Sequence, residues 1–171
     1  TLAALVSELE AQAGEPAKAV GLGMPGSISP RTGLARNANS TWLNGQPFQR
    51  DLAARLAKPL RIANDANCFA LSEAVDGAGA EAKVVFGVII GTGCGGGLVV
   101  NGRIIEGASG IAGDWGHMPL PWMRANEAPG PACWCGRRGC METFVAGPAF
   151  ERHAQAFSGE ALPAAEIAAR A

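Results

Sequence analysis

Four metal-binding side chains lie close together in the second half of the sequence. They are one imidazole and three thiols, the latter in a Cys-x-Cys-x₄-Cys pattern: His117, Cys133, Cys135 and Cys140. Neutral imidazole and thiolate are preferred zinc donors, and four protein ligands complete a structural site with no open position. We therefore predict a structural zinc site, with a cluster of reduced thiols as the alternative. Asp114 and Glu142 stand beside the ligands, so the zinc-bound loop is expected to form one wall of an active site.

Several neighbours of this cluster have two interpretations. Coordinated through one ring nitrogen, His117 would keep the other to hydrogen-bond a substrate hydroxyl, although a histidine in a loop can also serve packing alone. Tryptophan rings can stack on sugar faces, but packing is the favoured interpretation for all four in the chain: Trp42, Trp115, Trp122 and Trp134. Cys68 and Cys94 are interpreted as small buried residues or loop neighbours rather than ligands.

The stretch Asn64-Asp65-Ala66-Asn67 follows a short predicted strand and begins a predicted helix. In α/β proteins this is where ligands bind, outside the carboxyl ends of the strands. A carboxylate placed there can accept the proton of a substrate hydroxyl, as phosphoryl transfer requires. Asp65 is therefore the candidate general base. The alternative is a pair of helix-capping residues, and the two roles are compatible because only one of the side chains needs to cap.

A glycine-rich segment follows the predicted strand at residues 83–90. Glycines allow backbone N–H groups to approach an anion closely, and a threonine hydroxyl adds a donor. The segment is neither a Walker motif nor a dinucleotide-binding fingerprint, which lead into helices. We predict that it binds phosphate, with a tight turn between strands as the alternative. Its residues are Gly91, Thr92, Gly93, Cys94, Gly95, Gly96 and Gly97.

Composition excludes several classes of protein. With 171 residues, 48% of them hydrophobic, the chain is globular rather than disordered. A net charge of −1 without a basic patch argues against a nucleic-acid partner, and the longest apolar run, residues 84–90, is too short to cross a membrane. The opening residues lack the pattern of a signal peptide, and the five cysteines are an odd number. Free thiols or metal ligands in a cytoplasmic protein are therefore expected.

Strands and helices alternate along the chain, which favours an α/β fold. Predicted strands lie at residues 18–23, 60–63 and 83–90, and a hairpin at 98–105 turns at Asn101-Gly102. Helices are predicted for the opening residues, 47–58, 64–77 and from 147 onward, and residues 27–45 for a long polar loop. A boundary near 78–83 would separate domains 1–80 and 81–171. Because the chain opens inside a helix without an initiator Met, we expect it to be part of a longer protein.

Together these motifs resemble the ROK family of sugar kinases and repressors, in the same order and over nearly the whole chain. The segment from Pro25 to Phe48 is most similar to bacterial fructokinases and mannokinases, and residues 67–74 also resemble N-acetylglucosamine kinases. The matching stretches are residues 21–26, 64–67, 91–97, 110–117 and 133–142.

The resemblance implies an actin-like ATPase (ribonuclease H-like) fold, with two α/β domains around a cleft. It implies that Asp65 activates the 6-hydroxyl of a hexose for attack on ATP bound with Mg²⁺, and that residues 91–97 hold the ATP phosphates. It assigns zinc to the His/Cys set, and a homodimer to the full-length protein. Five residues would contact sugar: Asn39, Asn64, Asp114, His117 and Glu142.

The sequence departs from the family pattern in two ways, and each departure leads to an expectation. Kinase members usually have Glu at position 114, so the shorter Asp114 is expected to reach sugar through a water molecule. The family's N-terminal phosphate-binding hairpin is absent, so residues 1–171 alone are expected to be inactive. Alternatives to a fructokinase are an N-acetylglucosamine or glucose kinase, a sugar-responsive repressor, or a non-catalytic zinc-stabilised sugar-binding module.

Overall fold

In the computed structural model, which describes residues 1–170, the first part of the chain is built around two parallel strands. Helix α1 (Leu2–Ala13) begins at Thr1, whose hydroxyl accepts from the N–H of Ala4, and ends at Gly14 in the left-handed conformation. Strand β1 (Val20–Met24) then pairs with β4 (Leu60–Asn64), in register from Val20 opposite Leu60 to Met24 opposite Asn64. The two strands therefore end at the same edge of the sheet.

The segment between these strands is more ordered than the predicted long polar loop. It contains the antiparallel pair β2 (Ser27–Ile28) and β3 (Ala35–Arg36), and a 3-10 turn at Thr41–Leu43. Helix α2 (Phe48–Leu56) follows within the predicted limits. The polar composition had concealed the short strands, because two residues are too few to show alternation.

Helix α3 (Asp65–Val75) starts directly after β4, and Asn64 is its N-cap. The helix packs chiefly on β5 (Val84–Ile90) and β6 (Cys94–Val100). Small residues permit this close contact: a Cβ atom added at Gly87 would lie 2.9 Å from the Cβ of Ala70, which is fully buried. The helix that follows β4 therefore packs on the second sheet, although the predicted boundary near 78–83 assigns it to the first domain.

The second sheet is antiparallel, in the order β5, β6 and β7 (Arg103–Ile104). Its β6–β7 turn confirms the type I′ prediction, since Asn101 and Gly102 have φ values of 49° and 70°. A continuous apolar run such as residues 84–90 is typical of a strand buried on both faces, but only one face of β5 is covered by the described part of the chain. Its alternate residues Val84, Phe86, Val88 and Ile90 are 48% to 59% exposed, whereas the opposite face contacts α3.

The glycine-rich segment is also divided differently from the prediction of one turn at 91–97. Only Gly91 to Gly93 form the turn, closed by a 2.9 Å hydrogen bond from the N–H of Gly91 to the carbonyl of Gly93. Residues from Cys94 onward pair with β5 as strand β6. Glycines in an extended conformation can form the backbone hydrogen bonds between strands. The glycine content alone therefore led to a predicted turn that was too long.

Residues 105–141 contain neither helices nor named strands, and the chain returns to helix at Glu142, before the predicted start at residue 147. The elements are α4 (Glu142–Val145), α5 (Gly147–Ser158) and α6 (Ala164–Arg170). Within residues 1–170, the helices are all too short or too polar to pass through a bilayer.

Candidate active site and metal centre

One cleft of about 440 Å³ brings most of the predicted site residues together. This volume is within the usual range for small-molecule sites. Three segments form its walls: the carboxyl ends of β1 and β4, the turn between β5 and β6, and the loop that contains His117. Its polar side chains include Asn37, Asn39, Asn64, Asp65, Asn67, Thr92, Asp114, His117, Trp134 and Glu142.

Asp65 is the first residue of α3 and lies at the end of β4, where the cleft opens. Its Oδ1 atom accepts two hydrogen bonds, from the Asn64 side-chain amide at 3.1 Å and from the backbone N–H of Ala66 at 2.9 Å. These bonds fix the orientation of the carboxylate. They leave Oδ2 as the oxygen that can accept a proton from a ligand.

Asn64 orients Asp65 and caps α3 at the same time. Its Oδ1 accepts from the backbone N–H of Asn67 at 3.1 Å. Its Nδ2 donates to the carbonyl of Gly26 at 3.0 Å as well as to Asp65. Both amide hydrogens are thus engaged within the chain, so Asn64 can contact a sugar hydroxyl only as an acceptor.

Asn39 lies on a bend that approaches the end of β1 closely. A Cβ atom at Gly26 would be 2.3 Å from the carbonyl oxygen of Arg36 and 2.6 Å from the nitrogen of Ala38, so this position requires glycine. The side chain of Asn44 holds the bend through paired hydrogen bonds to Ala38, at 2.9 and 3.0 Å. The asparagine-rich sequence therefore supplies both a cleft-lining side chain and its support.

The glycine-rich segment lines the cleft from Gly91 to Gly96. A Cβ atom at Gly91 or Gly95 would meet no described atom within 4 Å, so the backbone there is open to a ligand. Gly97 is different, because a Cβ atom would lie 2.6 Å from the carbonyl oxygen of Ala66 under α3. A larger residue at this position would press on the helix that begins with Asp65, so close packing explains why the residue is glycine.

Glu142 connects the glycine-rich segment to the cysteine-rich loop. Its Oε2 accepts from the backbone N–H of Cys94 at 2.9 Å, and its Oε1 accepts from the indole N–H of Trp134 at 2.7 Å. Its own backbone N–H donates to the carbonyl of Gly116 at 2.9 Å. The carboxylate is therefore held at both oxygens while it lines the cleft.

The four predicted metal ligands converge, with their donor atoms all within 4.8 Å of one another. Nδ1 of His117 lies 3.5 Å from Sγ of Cys133, and the Sγ atoms of Cys135 and Cys140 are 3.7 Å apart. A tetrahedral ion with bonds of about 2.3 Å to sulfur and 2.0 Å to nitrogen would set these separations at about 3.5 and 3.8 Å. The donor set and its spacing fit zinc.

Burial raises the pKa of two thiols in this region. Burial raises the pKa of the Cys140 thiol to about 12, and its hydrogen bonds with Cys135 and Cys133 act in the same direction. Burial also raises the pKa of Cys94, and the nearby Glu142 carboxylate adds to the effect. Cys94 is outside the ligand cluster, and it is a neutral thiol in the wall of the cleft.

Comparison with known proteins decides the family, because the ROK family model matches residues 1–171. This chain belongs to the ROK family. It is 44% identical to an N-acetyl-D-glucosamine kinase of Pectobacterium carotovorum subsp. carotovorum, across 98% of this chain and 56% of that protein. The chain thus spans about half the length of this curated relative.

Solved structures of ROK proteins share the fold. A ROK hexokinase from Thermus thermophilus matches 97% of this chain and 53% of its own, with 34% identity and a TM-score of 0.77. A ROK glucokinase from Streptomyces griseus, in complex with glucose and AMPPNP, matches 92% of this chain and 49% of its own, with 27% identity and a TM-score of 0.71. The predicted actin-like ATPase fold is confirmed.

Within this ROK chain, sequence reasoning placed most site residues at the cleft but missed others. Asn37 and Asn67 line it as well, and Oδ1 of Asn67 is buried without a partner among the described residues. Trp134 also lines the cleft, although packing was the favoured interpretation. Its place between two metal ligands was the available signal. By contrast, Trp115 donates to the carbonyl of Gly95 at 2.5 Å, consistent with packing.

Proposed function

We propose that the complete protein, meaning this chain with any flanking residues its gene encodes, phosphorylates a hexose at its 6-hydroxyl with ATP. The orientation of Asp65 carries this proposal. One carboxylate oxygen is held by two donors, the other remains for a substrate proton, and the cleft is shared with an open glycine turn. A positioned acceptor beside an anion-binding backbone is what phosphoryl transfer needs.

In the proposed reaction, Oδ2 of Asp65 accepts the proton of the sugar 6-hydroxyl. The sugar oxygen forms a bond to the γ-phosphorus while the bond from that phosphorus to the β-phosphate oxygen breaks, which releases ADP. Asn64 keeps the base oriented through its amide.

Other polar side chains of the cleft would bind the sugar. Asn39, Asp114 and His117 line the cleft together with Glu142. Nδ1 of His117 faces Cys133, which leaves Nε2 for a sugar hydroxyl. A carboxylate has about four acceptor sites, so Glu142 retains two after its bonds to Cys94 and Trp134.

The backbone N–H groups of the turn at Gly91–Gly93 and the hydroxyl of Thr92 would contact ATP phosphates. The open space beside Gly91 and Gly95 supports this assignment, whereas the packing of Gly97 limits that residue to an indirect role. Mg²⁺ would arrive with the nucleotide and neutralise phosphate charge when bound. We assign zinc a structural role at His117 and the three cysteines, since four protein ligands leave no position for substrate.

N-acetylglucosamine is the substrate we propose first. Residues 25–48 predicted a fructokinase, but the Pectobacterium relative at 44% identity is named an N-acetyl-D-glucosamine kinase, in agreement with the stated alternative. Fructose, mannose and glucose remain as alternative hexoses. The intact arrangement around Asp65 favours a kinase over a sugar-responsive repressor, which would not require an oriented base.

A coupled ADP-release assay on the complete protein tests the proposal, with N-acetylglucosamine, fructose, glucose and mannose as substrates. We expect turnover with at least one sugar, and the highest kcat/KM with N-acetylglucosamine. Absence of turnover with all four would reject the kinase assignment. A higher kcat/KM for fructose would instead support the fructokinase assignment. Sedimentation of the same protein would test the predicted homodimer.

A further inference from the structure

Trp134 occupies an unusual position between two of the metal ligands. The residue is 57% exposed, yet its ring lines the cleft instead of pointing away from the protein. Its ring meets that of His117 edge to face, with centroids 4.7 Å apart and an angle of 82° between the planes. The backbone on either side belongs to Cys133 and Cys135, so a bound metal would restrict where the indole can lie.

The indole N–H of Trp134 donates to Oε1 of Glu142 at 2.7 Å. This is a charge-assisted hydrogen bond, a class that is shorter and stronger than neutral ones. The other oxygen of Glu142 accepts from the N–H of Cys94, 48 residues away in the sequence. A glutamate side chain has three rotatable bonds, and these two contacts together define one orientation of its carboxylate.

We propose that Trp134 is a positioning residue that fixes the Glu142 carboxylate for sugar binding. This inference rests on the proposed function, because it assumes that Glu142 contacts the hexose. The indole donor occupies one acceptor site of Oε1 and directs the remaining sites of the carboxylate into the cleft. Without the donor, Glu142 keeps only its bond to Cys94 and can rotate away from the sugar.

A pair of matched variants isolates the indole donor. Trp134→Phe retains an aromatic ring but removes the N–H group. Trp122→Phe is the control, because Trp122 lies in the same irregular region, is 96% exposed and does not line the cleft. In the complete protein we expect Trp134→Phe to raise the sugar KM about tenfold, as for loss of a hydrogen bond to a charged group. We expect kcat to stay within about twofold, and the control to match wild type.

A double-mutant cycle separates positioning from a general structural effect. In a Glu142→Ala background the indole has no carboxylate to hold, so Trp134→Phe should change the sugar KM no further. Zinc content per chain should be the same in Trp134→Phe and wild type. An unchanged KM in Trp134→Phe would overturn the inference, and so would loss of zinc or an equal effect in the Glu142→Ala background.

Equilibrium binding of N-acetylglucosamine, measured calorimetrically without ATP, distinguishes failure of this inference from failure of the proposed function. If the wild-type protein binds the sugar but does not phosphorylate it, the kinase assignment fails. A weaker Kd in Trp134→Phe alone would then still support the positioning role. Equal Kd values for the two tryptophan variants would overturn it.

Discussion

Asn64 donates from its side-chain amide to Oδ1 of Asp65 at 3.1 Å, while its own Oδ1 caps the helix that Asp65 begins. Helix capping and orientation of the candidate base therefore depend on one side chain. The two effects can be separated by substitution, because capping needs an acceptor whereas orientation needs a donor.

Replacing Asp65 with Asn should reduce kcat by about 10² to 10⁴-fold, because an amide cannot accept the 6-hydroxyl proton. The sugar Kd should remain within about threefold, since size and shape are retained. Steady-state kinetics and calorimetry would measure both quantities. Asp51→Asn is the control, as the Asp51 side chain is 60% exposed on α2. Retention of more than a tenth of wild-type kcat would exclude Asp65 as the base.

Substitution of Asn64 by Ser should preserve stability but slow turnover. Serine is a good N-cap, so unfolding in urea should show a loss below about 1 kcal/mol. The amide donor to Asp65 is lost, and the shorter serine side chain, placed to cap the helix, is not expected to replace it, so kcat should fall about tenfold. Asn64→Ala removes both functions and should lower stability as well by about 1 kcal/mol. Equal kcat in the Ser variant and wild type would show that the amide does not orient the base.

Two glycines of β6 should respond differently to alanine. In Gly97→Ala the new methyl group would press on Ala66 and Asn67 at the start of α3, at a cost of about 1–3 kcal/mol of stability. Gly95→Ala meets open space at the cleft and should leave the free energy of unfolding nearly unchanged while it raises the KM for ATP. Urea unfolding and kinetics would measure these effects. Similar stability losses in the two variants would contradict the packing role of Gly97.

Loss of one proposed metal ligand should abolish stoichiometric zinc binding. Cys140→Ser should lower zinc content from about one per chain to a small fraction, and lower the melting temperature by about 5 °C or more. Chelation of the wild-type protein should likewise raise the sugar KM. Elemental analysis and thermal unfolding are the measurements, and Cys68→Ser is the control, because this thiol lies outside the ligand cluster. A wild-type protein purified without zinc, and unable to bind it, would reject the site.

Lengthening Asp114 to Glu should lower the sugar KM. Asp114 lines the cleft but is exposed. We propose that its short side chain reaches the sugar only through a bridging water, so one more methylene would allow a direct contact. A decrease of about two- to fivefold is expected. Asp76→Glu at the exposed end of α3 serves as the control. An increased KM would mean that the shorter side chain already makes the better contact.

Local sequence predicted the elements that carry the site because each had a local physical cause. Asn64 has the residue type of a cap, Asn101-Gly102 suits positive φ, and the histidine and cysteines have the types and spacing of a metal site. The exposed face of β5 was not predicted, since a continuous apolar run does not reveal what covers each side. Likewise, the division of the glycine-rich segment depends on Gly97 meeting α3, a contact made only in the folded chain.

The hydrogen bond from Trp134 to Glu142 could not be predicted from the sequence. Composition identifies a tryptophan as a packing residue in most cases, and the sequence separation of eight residues from Glu142 does not indicate a hydrogen bond. The contact exists because the cysteine-rich loop folds back so that Cys133 and Cys140 approach each other. A side chain's partner was therefore determined by loop closure rather than by local pattern.

The uncovered row of Val84, Phe86, Val88 and Ile90 on β5 has a practical consequence for work in solution. Four large apolar side chains along one strand form an exposed hydrophobic surface of the kind that promotes self-association. Preparations of residues 1–171 by themselves are expected to bind hydrophobic dyes and to aggregate as concentration rises. Substituting Phe86 and Val88 by Thr would keep a high β-propensity while making this surface more polar. The variant is expected to remain monomeric at higher concentrations, which suits spectroscopy.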